Sequence, residues 1–154
     1  VRWIAALAAV AALAGCTWRS GPPSRLDEPV QVVLRSADLQ LPQAGPLLAG
    51  AVADALARDL GWRVSPGGSA RLELALRSER IRTVAEDSRD VPIRWEVTLR
   101  GTAMLVSARG IQPPLPFTGT ATYTGLADEQ EALRRAAANA AEDLSERLGD
   151  LELR

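Results

Sequence analysis

The chain contains no histidine, no lysine and a single cysteine. Each absence removes a class of chemistry. Without histidine, the usual general base and the commonest metal ligand are missing. Without lysine there is neither a Schiff base nor a Ser-Lys dyad, and one cysteine cannot close a disulfide within the chain. Ser-His-Asp and Cys-His arrangements are impossible. Carboxylate chemistry stays formally open, but most Asp and Glu alternate with arginine, as solvated surface charges do. These absences predict no catalytic residue, no metal site and no cofactor, and they disfavour a hydrolase.

The positive charge that is present is all arginine. The 18 basic and 19 acidic residues nearly cancel, so nothing in the balance points to nucleic acid. Guanidinium forks suit bidentate recognition of phosphate or carboxylate. The alanine-rich composition also fits a GC-rich coding sequence, in which arginine displaces lysine without any functional demand.

The N-terminus carries the most specific signal. Arg2 gives a positive start, residues 4–13 are apolar but too short to span a bilayer, and Leu13-Ala14-Gly15-Cys16 follows. This stretch resembles a bacterial lipoprotein signal with its lipobox. The resemblance implies a signal peptide over residues 1–15, cleavage before Cys16, and acylation of Cys16 as the membrane anchor. Removal of residues 1–15 leaves 139 residues with 17 basic against 19 acidic, enough for one domain and one core. Residues 16–29 read as a lipidated tether, since Gly21, Pro22 and Pro23 deny it regular hydrogen bonding. Trp18 is placed to rest at the membrane interface or is merely exposed. Residues 30–154 then form a single periplasmic domain.

Within that domain the apolar pattern predicts six elements. The β-branched run 30–34 reads as a first strand. Pro46 opens a helix in which Leu48, Val52, Leu56 and Leu60 form one stripe, and Gly61 ends it. Trp62 follows, placed to seal that helix end or to contact a partner. Leu72, Leu74 and Leu76 alternate with Arg71, Glu73 and Arg77 as in a half-buried strand, after which Ile81 falls out of phase. A bulge near residues 78–80 would account for the slip.

After a polar tip at residues 85–90, Pro92 starts a third strand. There Ile93, Trp95, Val97, Leu99, Ala103 and Leu105 face inward, with Arg94, Glu96, Thr98, Arg100 and Thr102 outward. A proline-rich loop leads to a fourth strand. Its Phe117, Gly119, Ala121 and Tyr123 face a closely packed helix, and its four threonines, 118, 120, 122 and 124, face away. Asp128 with Glu131 suggests a capping box for the last helix, whose buried face is Leu133, Ala137, Ala140, Leu144, Leu148 and Leu151. Each element has one apolar side. The order β-α-β-β-β-α therefore predicts an α+β two-layer sandwich, with both helices on one face of a mostly antiparallel four-stranded sheet.

The layout from lipobox to final helix resembles the LptE family. The resemblance is carried by Ala55-Leu56-Ala57-Arg58-Asp59-Leu60, by Arg71-Leu72-Glu73-Leu74-Ala75-Leu76, by Arg94-Trp95-Glu96-Val97-Thr98-Leu99, and by the helix from Asp128 to Leu148. It covers most of residues 28–151. It implies a non-enzymatic outer-membrane lipoprotein that assists lipopolysaccharide assembly at the cell surface, with an LptD-like β-barrel and lipopolysaccharide as partners. The same layout also serves auxiliary lipoproteins of lipid-transport ABC systems and activators of cell-wall synthases.

On the LptE-like reading, Arg77, Arg80, Arg82, Arg89 and Arg94 around the second hairpin are the candidate lipopolysaccharide-binding residues. The interleaved Glu79, Glu86, Asp87, Asp90 and Glu96 equally allow a self-compensated surface. The threonine stripe reads as an exposed strand face or as an edge for an added strand. Trp95 shares the phase of Val97 and Leu99 and reads as core.

Overall fold

The computed structural model describes residues 26–35 and 40–151. Cys16 and the proposed signal and tether up to residue 25 lie outside them. Strand β1 (Val30–Leu34) is followed by helix α1 (Ala44–Asp59), β2 (Ala70–Glu86), β3 (Pro92–Ser107), a two-residue β4 (Gly110–Ile111) and β5 (Leu115–Tyr123). A 3-10 turn over Leu126–Asp128 then leads into α2 (Glu129–Gly149). The sheet runs β1-β2-β3, and the far side of β3 is shared by β4 and β5. β1 lies parallel to β2 and the other pairs are antiparallel. The α+β two-layer architecture is as expected. β4 is an addition, because two residues carry no readable period.

Both helices cover one sheet face. Leu48, Val52 and Leu56 of α1 are buried, as are Leu133, Ala137, Ala140, Leu144 and Leu148 of α2. Gly61 takes φ 66°, a left-handed conformation that glycine adopts without steric cost, and ends α1. The Leu56 carbonyl accepts from the amides of both Leu60 and Trp62, and Trp62 is buried in the core, where it closes this end of the sandwich. Where α1 ends beside α2, Arg58 holds the Asp59 carboxyl below its ordinary range, and the Ser145 hydroxyl donates to the same group at 3.3 Å.

The capping box does not form. Asp128 has φ −92° and ψ −3° and makes no side-chain cap bond. The chain is already winding through the 3-10 turn, whereas a capping side chain needs an extended backbone to reach over the first amides. Glu131 meets Arg134 instead, at 3.3 Å.

The phase slip in β2 is a bulge between Leu76 and Ser78. Before it the even residues face the helices; after it Glu79, Ile81 and Thr83 do, opposite Leu99, Val97 and Trp95. Beyond this point the β2–β3 hairpin outruns the helices. Ile93, expected in the core, is therefore 47% exposed, and Trp95 is half-buried, stacked on Tyr123 at 5.6 Å. Burial, with Glu129 nearby, raises the Tyr123 hydroxyl pKa. Glu73 departs from its expected wet position. It is buried on the outer face opposite Met104 and accepts from Arg35 at 2.9 Å.

Candidate functional surface

The outer sheet face carries the arginines. Cross-strand pairing stacks them in rows: Ser78–Arg100–Thr118, Arg80–Thr98–Thr120 and Arg82–Glu96–Thr122. Residues directly opposite in a sheet share a face, so these nine side chains stand on one surface. All but Thr118 and Thr122 border a groove of about 680 Å³ that Gln40 and Glu79 complete.

The charges there are unequal. Arg82 Nε donates to Glu96 at 2.8 Å, while among the described residues no carboxylate pairs with Arg80 or Arg100. Glu79 forms no ion pair with either of them: its Oε1 accepts from the Leu41 amide and its Oε2 is buried. Two guanidinium groups beside the exposed Thr120 hydroxyl form a donor-rich surface suited to a phosphate or carboxylate, while the Thr98 hydroxyl donates to Glu96 at 3.5 Å.

The structure brings together only part of the expected arginine set. Arg80 and Arg82 share the groove. Arg94 borders a separate recess with Thr122, Thr124, Asp128, Glu131 and Arg135. Arg77 is the extra residue at the bulge. Arg89 sits in the hairpin turn, where Asp87 accepts from its amide at 2.8 Å. Arg100 was missed as a candidate although it stands in the same phase as Glu96 and Thr98. What hid it was distance along the chain from the dense run at 77–94.

The edge of β5 is closed. Thr118 N–H donates to Asp143 at 2.9 Å, Asn139 donates to the Thr120 carbonyl at 2.7 Å, and Arg135 donates to the Thr122 carbonyl at 2.9 Å. Helix residues four apart advance about 6 Å and strand residues two apart about 6.6 Å, so α2 runs in step with the edge it covers. The threonine strand is thereby denied to an added strand, and its hydroxyls are left as a polar face.

On the helix side of the overhanging hairpin lies a cleft of about 470 Å³ with an apolar wall of Leu41, Pro42, Ile81, Val97, Ala127 and Leu133, and with Glu129 among its polar lining. Gln43 and Gln130 meet across its rim at 3.3 Å.

The fold recurs in solved structures. A protein of Caulobacter crescentus CB15 assigned as a lipoprotein superposes with a TM-score of 0.55 at 24% identity, over 77% of this chain and 87% of that one. A single-residue variant of PelC from Paraburkholderia phytofirmans, solved as a dodecamer, gives 0.52 at 20% identity, over 84% and 95%. No curated protein matches the chain significantly. The family model of LptE, described as lipopolysaccharide-assembly, matches residues 29–148, from the end of the proposed tether to the last turn of α2. The chain belongs to the LptE family.

Proposed function

We propose that this chain is a lipid-anchored subunit of an outer-membrane β-barrel translocon of the LptD type. In this role it holds lipopolysaccharide phosphates on its outer sheet face during assembly at the cell surface. The observation that carries the reading is that Arg80 and Arg100, beside Thr120, have no carboxylate partner among the described residues. A phosphate dianion there receives charge-assisted hydrogen bonds without breaking an existing ion pair. Arg82 borders the same groove, and Arg77, Arg89 and Arg94 are outlying contacts around the hairpin. The chain acts by binding, not by catalysis.

The start of the described domain lies far from the hairpin tip. Residues 27–28 are clasped at one end of the sheet: Arg63 donates to the Asp27 carbonyl at 2.8 Å, and Glu28 accepts from Ser69 and the Ala108 amide. The hairpin tip stands at the opposite end of β2, roughly 50 Å away at strand rise. In this reading the domain faces the periplasm or a barrel lumen, with its arginine groove a little past the middle of β2, between the clasped end and the tip.

Replacing Arg80 and Arg100 together by glutamine is expected to leave the melting temperature unchanged. It should weaken lipopolysaccharide binding at least tenfold, to an order of magnitude, from the loss of charged hydrogen bonds. The salt dependence of binding should flatten. Glutamine at Arg77, Arg89 and Arg94 should cost less. Unchanged affinity across a salt titration of the double variant would assign these arginines to an ordinary solvated surface.

Cys16→Ser tests the anchor. The variant is expected to accumulate as an unprocessed precursor that takes up no labelled fatty acid. Normal processing and labelling would remove the lipid anchor from the reading.

A further inference from the structure

The two long edges of the sheet are treated differently. In an antiparallel pair, consecutive residues direct their N–H and C=O groups alternately toward one neighbour and the other. Thr118, Thr120 and Thr122 direct theirs to α2, so on β3 the residues 95, 97, 99 and 101 serve β5, and 96, 98 and 100 serve β2. Arg80 and Arg82 accordingly bond β3, while the N–H and C=O groups of Ile81 and Thr83 point outward. The same alternation puts the Leu74 carbonyl toward β1, where it accepts from Arg35 N–H at 2.7 Å. β1 pairs no further than Leu74, and among the described residues nothing bonds the outward groups of Ile81 or Thr83.

Apolar side chains are exposed at this end of the hairpin: Ile81 and Val84 on β2 itself, Val91 in the turn and Ile93 on β3, and Ile81 lines the cleft. An unpaired edge with exposed β-branched residues is a template for another strand.

We propose that β2 at Ile81 and Thr83 takes an added strand from the β-barrel partner. The occupant is an extended segment, apolar where it meets Ile81 and the Leu41–Pro42 wall of the cleft, and acidic or neutral where it stands beside Arg80 and Arg82. A basic segment is repelled by those arginines and by Arg100. The proposal rests on the translocon-subunit reading and adds the surface through which the subunit docks.

The test is amide hydrogen exchange on the full chain, alone and copurified with its barrel. The Ile81 and Thr83 amides should exchange rapidly in the free protein and on the order of a hundredfold more slowly in the complex. Thr118, already bonded to Asp143, should be slow in both. Thr83→Pro removes an outward N–H that the fold does not use, at an edge where proline is tolerated. It should melt like the parent and bind the barrel about tenfold more weakly, whereas Thr83→Val should bind normally. If the proline variant fails to fold, exchange in the unaltered chain decides.

A complex in which these amides stay fast, or in which Thr83→Pro binds equally well, overturns the edge proposal and leaves the subunit reading standing. Failure of the unaltered chain to associate with any barrel overturns both. Self-association of the isolated chain that Thr83→Pro abolishes would make the occupant a second copy, and the proposal would be wrong.

Discussion

Gly119→Val is expected to abolish cooperative unfolding or to lower the melting temperature by about 10 °C or more, because α2 cannot remain where it is. A β-carbon at 119 would fall within contact distance of the Ala136 carbonyl and the Ala140 amide, and 2.7 Å from the Ala140 β-carbon. The first two are backbone groups of a helix and cannot rotate aside. Relief requires α2 to lift from β5. That would open the core around Ala136, Ala140 and Leu144, all fully buried. It would also draw Arg135, Asn139 and Asp143 off the strand edge, losing three hydrogen bonds of about 1 kcal/mol each. Together with overpacking of roughly 1–3 kcal/mol or more, the loss approaches the whole stability of a domain this size. Gly50→Ala in α1 is the control. Nothing lies within 4 Å of its added carbon, and an exposed helical site should gain about 1 kcal/mol. If circular dichroism shows Gly119→Val melting like the parent, α2 does not lie on β5 as described.

What the sequence made legible was what depends on period. The inward set Val97, Leu99, Ala103 and Leu105 follows from alternation alone, and a bulge near residues 78–80 follows from the phase of Ile81 against Leu72, Leu74 and Leu76, although the shift lies slightly earlier, between Leu76 and Ser78. Gly119 among alternating threonines announced a close helix, since a missing side chain on an inner face has little other use. What stayed hidden depends on partners distant in sequence. The bond of Glu73 to Arg35 needs β1 laid beside β2. The clasp of α2 on the β5 edge needs residues four apart on a helix to meet residues two apart on a strand. The arginine groove was half legible: Arg80 and Arg82 belong to a visible run, but Arg100 joins them only through the register of β3. The exposure of Ile93 follows from where the helices stop, which strand alternation does not encode.

The strongest test of that register is a pair of aspartates one residue apart. Leu99→Asp is expected to leave no folded domain at neutral pH, whereas Thr98→Asp should melt within a few degrees of the parent. Leu99 is fully buried, opposite Glu79 on one side and Gly119 on the other. Glu79 already has a buried oxygen without a partner among the described residues. A second carboxyl there would have no donor to meet it and a like charge beside it, at several kcal/mol for an unpaired buried charge. Burial would also raise the pKa of the new carboxyl above its unfolded value. The damage should therefore be smaller below the ordinary carboxylate range and grow as pH rises through the raised pKa.

Thr98 stands on the outer face opposite Arg80, which has no acidic partner among the described residues, so a carboxylate at 98 gains one. Thermal melts of both variants across pH 4–8 would separate the two faces. Should both unfold alike, or Thr98→Asp prove the worse, the odd residues of β3 do not face the helices. Arg80, Arg82 and Arg100 would then stand on the inner side, and the groove assigned to phosphate would not exist.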